Sequence, residues 1–243
     1  MAGLLLAACT REPLPPGASP PAGPVGGPVA PAAASPSTST PGVAARAPAA
    51  SAGPLVVFLG DSLSAGLGLA EEEAFPARVG EELARRGVPV RVINGGVSGD
   101  TTAGGRERLD WLLDQRPDWV IVELGANDGL RGQPIEGIEA NLRDIVLRSR
   151  AAGAQVVLAG MRMPPSHGRE YAEAFAAIWP RLAAELDVPL LPFLLDGVAG
   201  HSELNLPDGF HPNPEGHRRV AATVADFLAP LVRKSDEPVA PVR

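Results

Sequence analysis

Leu55-Val56-Val57-Phe58-Leu59 runs directly into Gly60-Asp61-Ser62-Leu63-Ser64. The first half has the length of a strand and no polar face, so the strand it forms is covered on both sides. The second half puts a serine on the turn that leaves it. Further runs of the same kind follow at Val90–Ile93, Trp119–Leu124, Gln155–Ala159 and Pro189–Phe193. Stretches of helical period separate them, at Phe75–Arg86, Gly104–Gln115, Ile135–Ala151 and Arg169–Leu186. A last helix, about Pro214–Val232, opens with Asn213 as N-cap and Pro214 as its first residue. Pro180 lies inside a helical pattern and predicts a kink or break there. Strands buried on both faces, alternating with helices, predict an α/β fold with a central parallel sheet between helical layers.

Near the other end stands Asp208-Gly209-Phe210-His211-Pro212. A serine hydroxyl is a poor nucleophile at neutral pH. It needs an imidazole to take its proton, and the imidazole needs a carboxylate to fix its tautomer and stabilise its charge. Ser62, His211 and Asp208 are the candidates for these roles. An Asp and a His three residues apart can share one face of a tight turn. Candidate site residues also fall just after strands: Ser62 after the first, Gly99 after the second, Asn127 after the third. Open parallel sheets bind ligands beyond the carboxyl ends of their strands, so these segments are expected to converge on one edge.

Other chemistries fit less well. The serine elbow of another hydrolase fold needs Gly-x-Ser-x-Gly, and position 64 is Ser. Gly95-Gly96-Val97-Ser98-Gly99 does not match Gly-x-Gly-x-x-Gly, so no nucleotide is expected. His167, His201 and His217 have no partner at metal-ligand spacing, and there is neither a His-Glu-x-x-His nor a Cys pair. A metal site and a cofactor are therefore not expected. Asp61 is assigned a structural hydrogen-bonding role, and Asp100 and Asp128 are expected to stabilise their loops.

These segments together resemble the SGNH (GDSL-type) hydrolases. The matching blocks are Gly60-Asp61-Ser62-Leu63-Ser64, Asn94-Gly95-Gly96-Val97-Ser98-Gly99-Asp100-Thr101, Gly125-Ala126-Asn127-Asp128 and Asp208-Gly209-Phe210-His211-Pro212, in family order. Val122-Glu123-Leu124 and the residues through Gly132 look like the bacterial arylesterase, acyl-thioesterase and lysophospholipase branch, with Ala126 where that branch often has Gly. The resemblance implies a flavodoxin-like three-layer α/β/α fold around a five-stranded parallel sheet. It implies Ser62 as nucleophile, His211 as general base and Asp208 as its orienting partner. It further implies an oxyanion hole made by the backbone N–H groups of Ser62 and Gly99 and the Asn127 side-chain amide. The expected substrates are small acyl or aryl esters and thioesters, with lysophospholipids among them. Rival readings are a carbohydrate O-acetyl esterase and a non-catalytic binding lipoprotein on the same fold.

The chain has 243 residues, 45% of them apolar, and a net charge of −7. It holds one domain of ordinary size with appendages. Without a Lys/Arg cluster it offers no electrostatic footprint for nucleic acid. No apolar run approaches the roughly 18 residues that span a bilayer. Leu4-Leu5-Leu6-Ala7-Ala8-Cys9 resembles a bacterial lipoprotein signal, in which the Cys becomes lipidated. From Pro13 to Ala45 no residue is charged, and Pro, Ala, Gly, Ser and Thr dominate. Such a stretch buries too little apolar surface to offset its ordering entropy. The expected organisation is a signal segment at 1–9, a disordered linker at 10–53, the hydrolase domain at 54–233 and a disordered tail at 234–243. The expected location is the bacterial cell envelope, periplasm-facing and lipid-anchored through Cys9. Without lipidation the protein would be exported in soluble form.

Overall fold

The computed structural model describes residues 53–164 and 168–236. Cys9, His167, almost all of the expected linker and residues 237–243 lie outside them. Five parallel strands form one sheet: β1 (Leu55–Gly60), β2 (Arg91–Gly96), β3 (Trp119–Glu123), β4 (Gln155–Ala159) and β5 (Leu190–Leu191). Their order is β2-β1-β3-β4-β5. The chain thus starts in the middle, goes out to one edge, then crosses back over β1 to build the other side. This is the flavodoxin-like order expected, and its direction reverses between β1 and β3.

Every residue of β1 and β3 is buried. Their unbroken apolar runs have that cause: helices cover both faces. On one side α2 (Phe75–Arg85) packs against α8 (Pro214–Asp236). On the other, α3 (Thr102–Leu113) packs against α5 (Ile135–Ala151). Few aromatics are available, so aliphatic side chains such as Val56, Leu59, Val120, Leu142 and Leu158, all without exposed surface, fill the core. Each such burial contributes about 1.5–3 kcal/mol relative to exposure.

Several boundaries differ from expectation. β2 runs through Gly96, past the expected Ile93, because Asn94, Gly95 and Gly96 pair with Phe58, Leu59 and Gly60. Those residues read as turn chemistry in isolation. β5 is only two residues long, since Pro189 and Pro192 on either side have no N–H for a ladder. The expected helix 169–186 is two helices, α6 (Arg169–Ala176) and α7 (Ile178–Leu186). The break falls at Ala177, not at Pro180. Pro180 has no N–H for the Ala176 carbonyl, so the helix ends there and restarts with the proline in its first turn. Finally, α8 continues through Asp236, so residues 234–236 belong to the helix and not to a disordered tail. Its start is as expected: Asn213 Oδ1 accepts from the N–H groups of Glu215 and Gly216, both at 3.0 Å.

One packing contact makes stability depend on pH. His217, in the first turn of α8, is buried, and its Nδ1 accepts from the Phe75 N–H at 3.0 Å. A neutral ring is needed for that. Burial, then the charges of Arg78 and His211, lower its pKa from 6.5 to about 4. Between those values the unfolded chain takes up a proton that the folded chain refuses, so stability falls as pH falls through this window. The loss is up to about 3 kcal/mol. Asp61 acts oppositely. Its pKa is raised from 3.8 to about 6, so acidification between those values recovers stability. His217→Asn, which keeps an acceptor near the Nδ1 position, should shrink the fall in Tm between pH 7.5 and 4.5. An unchanged fall would assign the acid sensitivity elsewhere.

Candidate active site

The turn after β1 continues into a single-turn helix, α1 (Ser62–Ala65), with Asp61 as its N-cap. The Asp61 Oδ1 accepts from the Leu63 N–H at 3.0 Å. This fixes the turn and leaves Ser62 as the first helical residue, with its hydroxyl directed at the carboxyl edge of the sheet. The same edge receives the loop after β2, with Gly99, and the short helix α4 (Ala126–Leu130) after β3, with Asn127. Ser62, Gly99, Asn127 and His211 line one cavity of about 300 Å³. It opens where the strand order reverses, as ligand sites in such sheets do.

Ser62 Oγ lies 2.9 Å from His211 Nε2 although 149 residues separate them. His211 Nδ1 lies 2.7 Å from Asp208 Oδ2. An ionised carboxylate only accepts, so Nδ1 carries the proton and donates it to Asp208. That leaves the Nε2 lone pair to accept from the Ser62 hydroxyl. Asp208 stays ionised. Its Oδ1 accepts from the His211 N–H at 3.0 Å and the Phe210 N–H at 2.9 Å. These bonds, the His211 N–H first, hold its pKa down at about 2. The spacing of Asp208 and His211 is therefore the geometry of one tight turn, with the carboxylate gripping both the backbone and the ring of the histidine.

The expected oxyanion donors face the same cavity. The N–H groups of Ser62 and Gly99 have no hydrogen-bond partner among the described residues. Gly99 has φ +82°, a conformation that other residues rarely adopt. Asn127 Nδ2 donates to Asp61 Oδ2 at 3.1 Å. A carboxyl group at that distance decides the orientation of the amide: its nitrogen, not its oxygen, faces Asp61. The second N–H on the same nitrogen has no partner among the described residues. Two N–H groups and an amide beside a serine hydroxyl in one cavity can stabilise, with neutral donors, a tetrahedral oxyanion formed on that serine.

The supporting acids also behave as expected. Asp128 accepts from the Thr102 N–H at 2.8 Å and the Thr102 hydroxyl at 2.7 Å, tying the loops after β2 and β3 together. Asp100 accepts from Arg108 Nε at 2.6 Å, and Arg108 Nη2 donates to the Gly60 carbonyl at 2.9 Å. His201 lies 3.3 Å from Glu203 and does not line the cavity.

The apolar wall of the cavity, drawn from Leu63, Leu67, Met161, Met163, Phe193 and Phe210, was not read from the sequence. These residues come from several separate loops, so no local pattern joins them. The Arg162 guanidinium sits over the Phe193 ring, 4.8 Å from its centroid. Glu123 was also missed. The one available signal was a single charged residue in the apolar run of β3.

Residues 58–219 match the GDSL-like lipase/acylhydrolase family. An arylesterase of Vibrio mimicus is 44% identical over 174 residues, which are 71% of this chain and 87% of that protein. The thioesterase 1/protease 1/lysophospholipase L1 of Escherichia coli K12 is 43% identical over 184 residues, 75% of this chain and 87% of that protein. Among solved structures, the psychrotrophic esterase EstA from Pseudoalteromonas sp., inhibited by monoethylphosphonate, superposes with a TM-score of 0.71. It is 32% identical and covers 74% of this chain and 99% of its own.

Proposed function

Because this chain belongs to the GDSL-like lipase/acylhydrolase family, we propose that it hydrolyses carboxylic esters and thioesters through an acyl-enzyme on Ser62. The observation that carries this reading is the continuous relay from Ser62 Oγ through His211 to Asp208, at 2.9 and 2.7 Å, opening on a largely apolar cavity. His211 Nε2 takes the hydroxyl proton as Oγ attacks the carbonyl carbon. The Ser62 and Gly99 N–H groups and the Asn127 amide receive the developing negative charge. His211 then gives its proton to the leaving alcohol or thiol. Water repeats the sequence on the acyl-enzyme and releases the acid.

The cavity volume and its aliphatic and aromatic wall favour acyl or aryl groups larger than acetyl. The names carried by the relatives, arylesterase and thioesterase/lysophospholipase, point to the same substrates. A panel of p-nitrophenyl esters from acetyl to palmitoyl, assayed with EDTA present, tests the reading. Turnover should rise from acetyl to a longer chain and should persist with EDTA present. An enzyme restricted to acetyl, or one silenced by EDTA and restored by a divalent ion, would contradict it.

We also propose an envelope location with a lipid anchor at Cys9. Leu6-Ala7-Ala8-Cys9 followed by an uncharged Pro/Ala-rich stretch supports it. One acyl chain holds a protein at a membrane only marginally, whereas two or more anchor it stably. Cys9→Ala should therefore move exported protein from the membrane fraction to the soluble fraction with kcat unchanged. Every proposed catalytic and oxyanion-hole residue lies beyond Leu55, so removal of residues 1–50 should leave activity intact. Equal solubility of wild type and Cys9→Ala would sink the anchor.

A further inference from the structure

Glu123 ends β3 with a carboxyl group that has no exposed surface. It does not line the cavity. Its two oxygens are in unequal surroundings. Oε2 accepts from the Asp61 N–H at 3.3 Å, the Ser64 N–H at 3.1 Å and the Ser64 hydroxyl at 2.6 Å. Oε1 has no partner among the described residues. A carboxylate shares its charge between both oxygens, and half a charge on a buried oxygen without a donor among the described residues is strongly unfavourable. A carboxylic acid suits the site better. Its carbonyl oxygen is Oε2, which collects the donors, and its hydroxyl is Oε1, the one group left unsatisfied. Burial and then the neighbouring Asp61 carboxyl act in the same direction, raising the Glu123 pKa well above the usual glutamate range.

The donors it collects bracket the nucleophile. Asp61 and Ser64 stand on either side of Ser62 and Leu63, and both are tied to the same oxygen of a residue about sixty positions away. Gly60 makes room for the tie. A Cβ there would stand 2.1 Å from Ser64 Oγ and 2.5 Å from Glu123 Oε2. The turn held in this way also carries the Asp61 side chain that orients Asn127. The end of β3 therefore reaches beneath the nucleophile turn and influences both the attacking group and one oxyanion donor.

We propose that Glu123 is a positioning residue for the reaction, working as a neutral acid whose carbonyl oxygen pins the Asp61–Ser64 turn in the attacking geometry. This rests on the reading of Ser62 as the nucleophile. What the turn needs from position 123 is an acceptor of the right reach, not a charge. A glutamine supplies that acceptor through its amide oxygen, because the donors around it select the oxygen over the nitrogen. A methionine supplies similar length and no comparable acceptor.

The test uses the full chain and the variants Glu123→Gln, Glu123→Met and Ser64→Ala. It reads kcat and KM on p-nitrophenyl butyrate, the rate of Ser62 labelling by a p-nitrophenyl alkylphosphonate, and thermal melting. Small misplacements of reacting groups act steeply on rate, so Glu123→Met should lose roughly tenfold or more in kcat with KM unchanged, and labelling should slow in proportion. Glu123→Gln should stay within about threefold of wild type in both readouts. Glu123→Gln as slow as Glu123→Met would show that a carboxylate is required and overturn the proposal. So would a folded Glu123→Met with wild-type kcat, which would leave Glu123 a packing residue. Should Glu123→Met fail to fold, Ser64→Ala decides. It removes the 2.6 Å bond while leaving the carboxyl in place. A lowered kcat with unchanged KM supports the proposal, and wild-type kinetics overturn it. Wild-type protein that is not labelled at Ser62 would instead remove the nucleophile reading beneath it.

Discussion

Ser62→Ala and His211→Ala should each lower kcat by about 10⁴- to 10⁶-fold, and the double variant should lose little more than either single one. The cause is the relay itself. Without the hydroxyl there is no atom to form the acyl-enzyme. Without the imidazole, Ser62 Oγ keeps its proton, and the 2.9 Å contact that removes it is gone. Each substitution disables the same step, so the second adds almost nothing. Both residues sit at a cavity, and neither belongs to the apolar core, so the melting temperature should change little. Steady-state kinetics on one ester across the wild type, the singles and the double variant checks this. Losses that add in log kcat would mean that the two residues act independently, and the assignment would fail.

Asn127→Ala should lower kcat by roughly 10²- to 10³-fold, corresponding to about 2.7–4 kcal/mol, with KM nearly unchanged. A neutral carbonyl oxygen needs little from the amide, whereas the oxyanion needs a great deal. The contribution therefore appears in the transition state and is almost absent from substrate binding. The bond from Asn127 Nδ2 to Asp61 Oδ2 at 3.1 Å sharpens the expectation. It presents an amide nitrogen to the site with the orientation already fixed. A variant with near-wild-type kcat would leave Asn127 as a turn residue that caps its own loop.

The sheet was legible where burial on both faces left a continuous signature. β1, β3 and β4 read as apolar runs, and α5 was bounded correctly at Ile135–Ala151 because a long amphipathic period needs no help from its neighbours. Readability failed where a partner elsewhere in the chain decides the outcome. Asn94-Gly95-Gly96 extends β2 only because β1 lies alongside to pair with it. The divided helix at Ala177 required knowing that Pro180 would act one turn upstream, on the Ala176 carbonyl.

The site divides in the same way. Ser62 after β1 reads alone as a helix cap and His211 as a loop residue, and only their joint occurrence with Asp208 makes them candidates for one site. Gly99 and Asn127 are ordinary turn residues when read alone. Their place after strands made them candidates, and the resemblance of whole blocks to a family gave them a role. Glu123 was invisible for a different reason. A lone acid in an apolar strand has no meaning until Ser64 and the Asp61 N–H are found against it, and that contact spans about sixty residues. The cavity wall is likewise a product of loops meeting at one edge.

The central claim is that Ser62 is the nucleophile, and a covalent trap tests it most directly. A p-nitrophenyl alkylphosphonate places a tetrahedral phosphorus where the attacked carbonyl carbon would stand. It releases p-nitrophenol as the serine oxygen bonds to phosphorus. Incubation with the full chain, followed by proteolysis and mass spectrometry, locates the adduct. The prediction is a single phosphonyl group on Ser62, formed in step with the loss of esterase activity and absent from Ser64 and Ser98. Activity lost with the adduct on another residue, or esters still turned over after Ser62 is fully blocked, would contradict it.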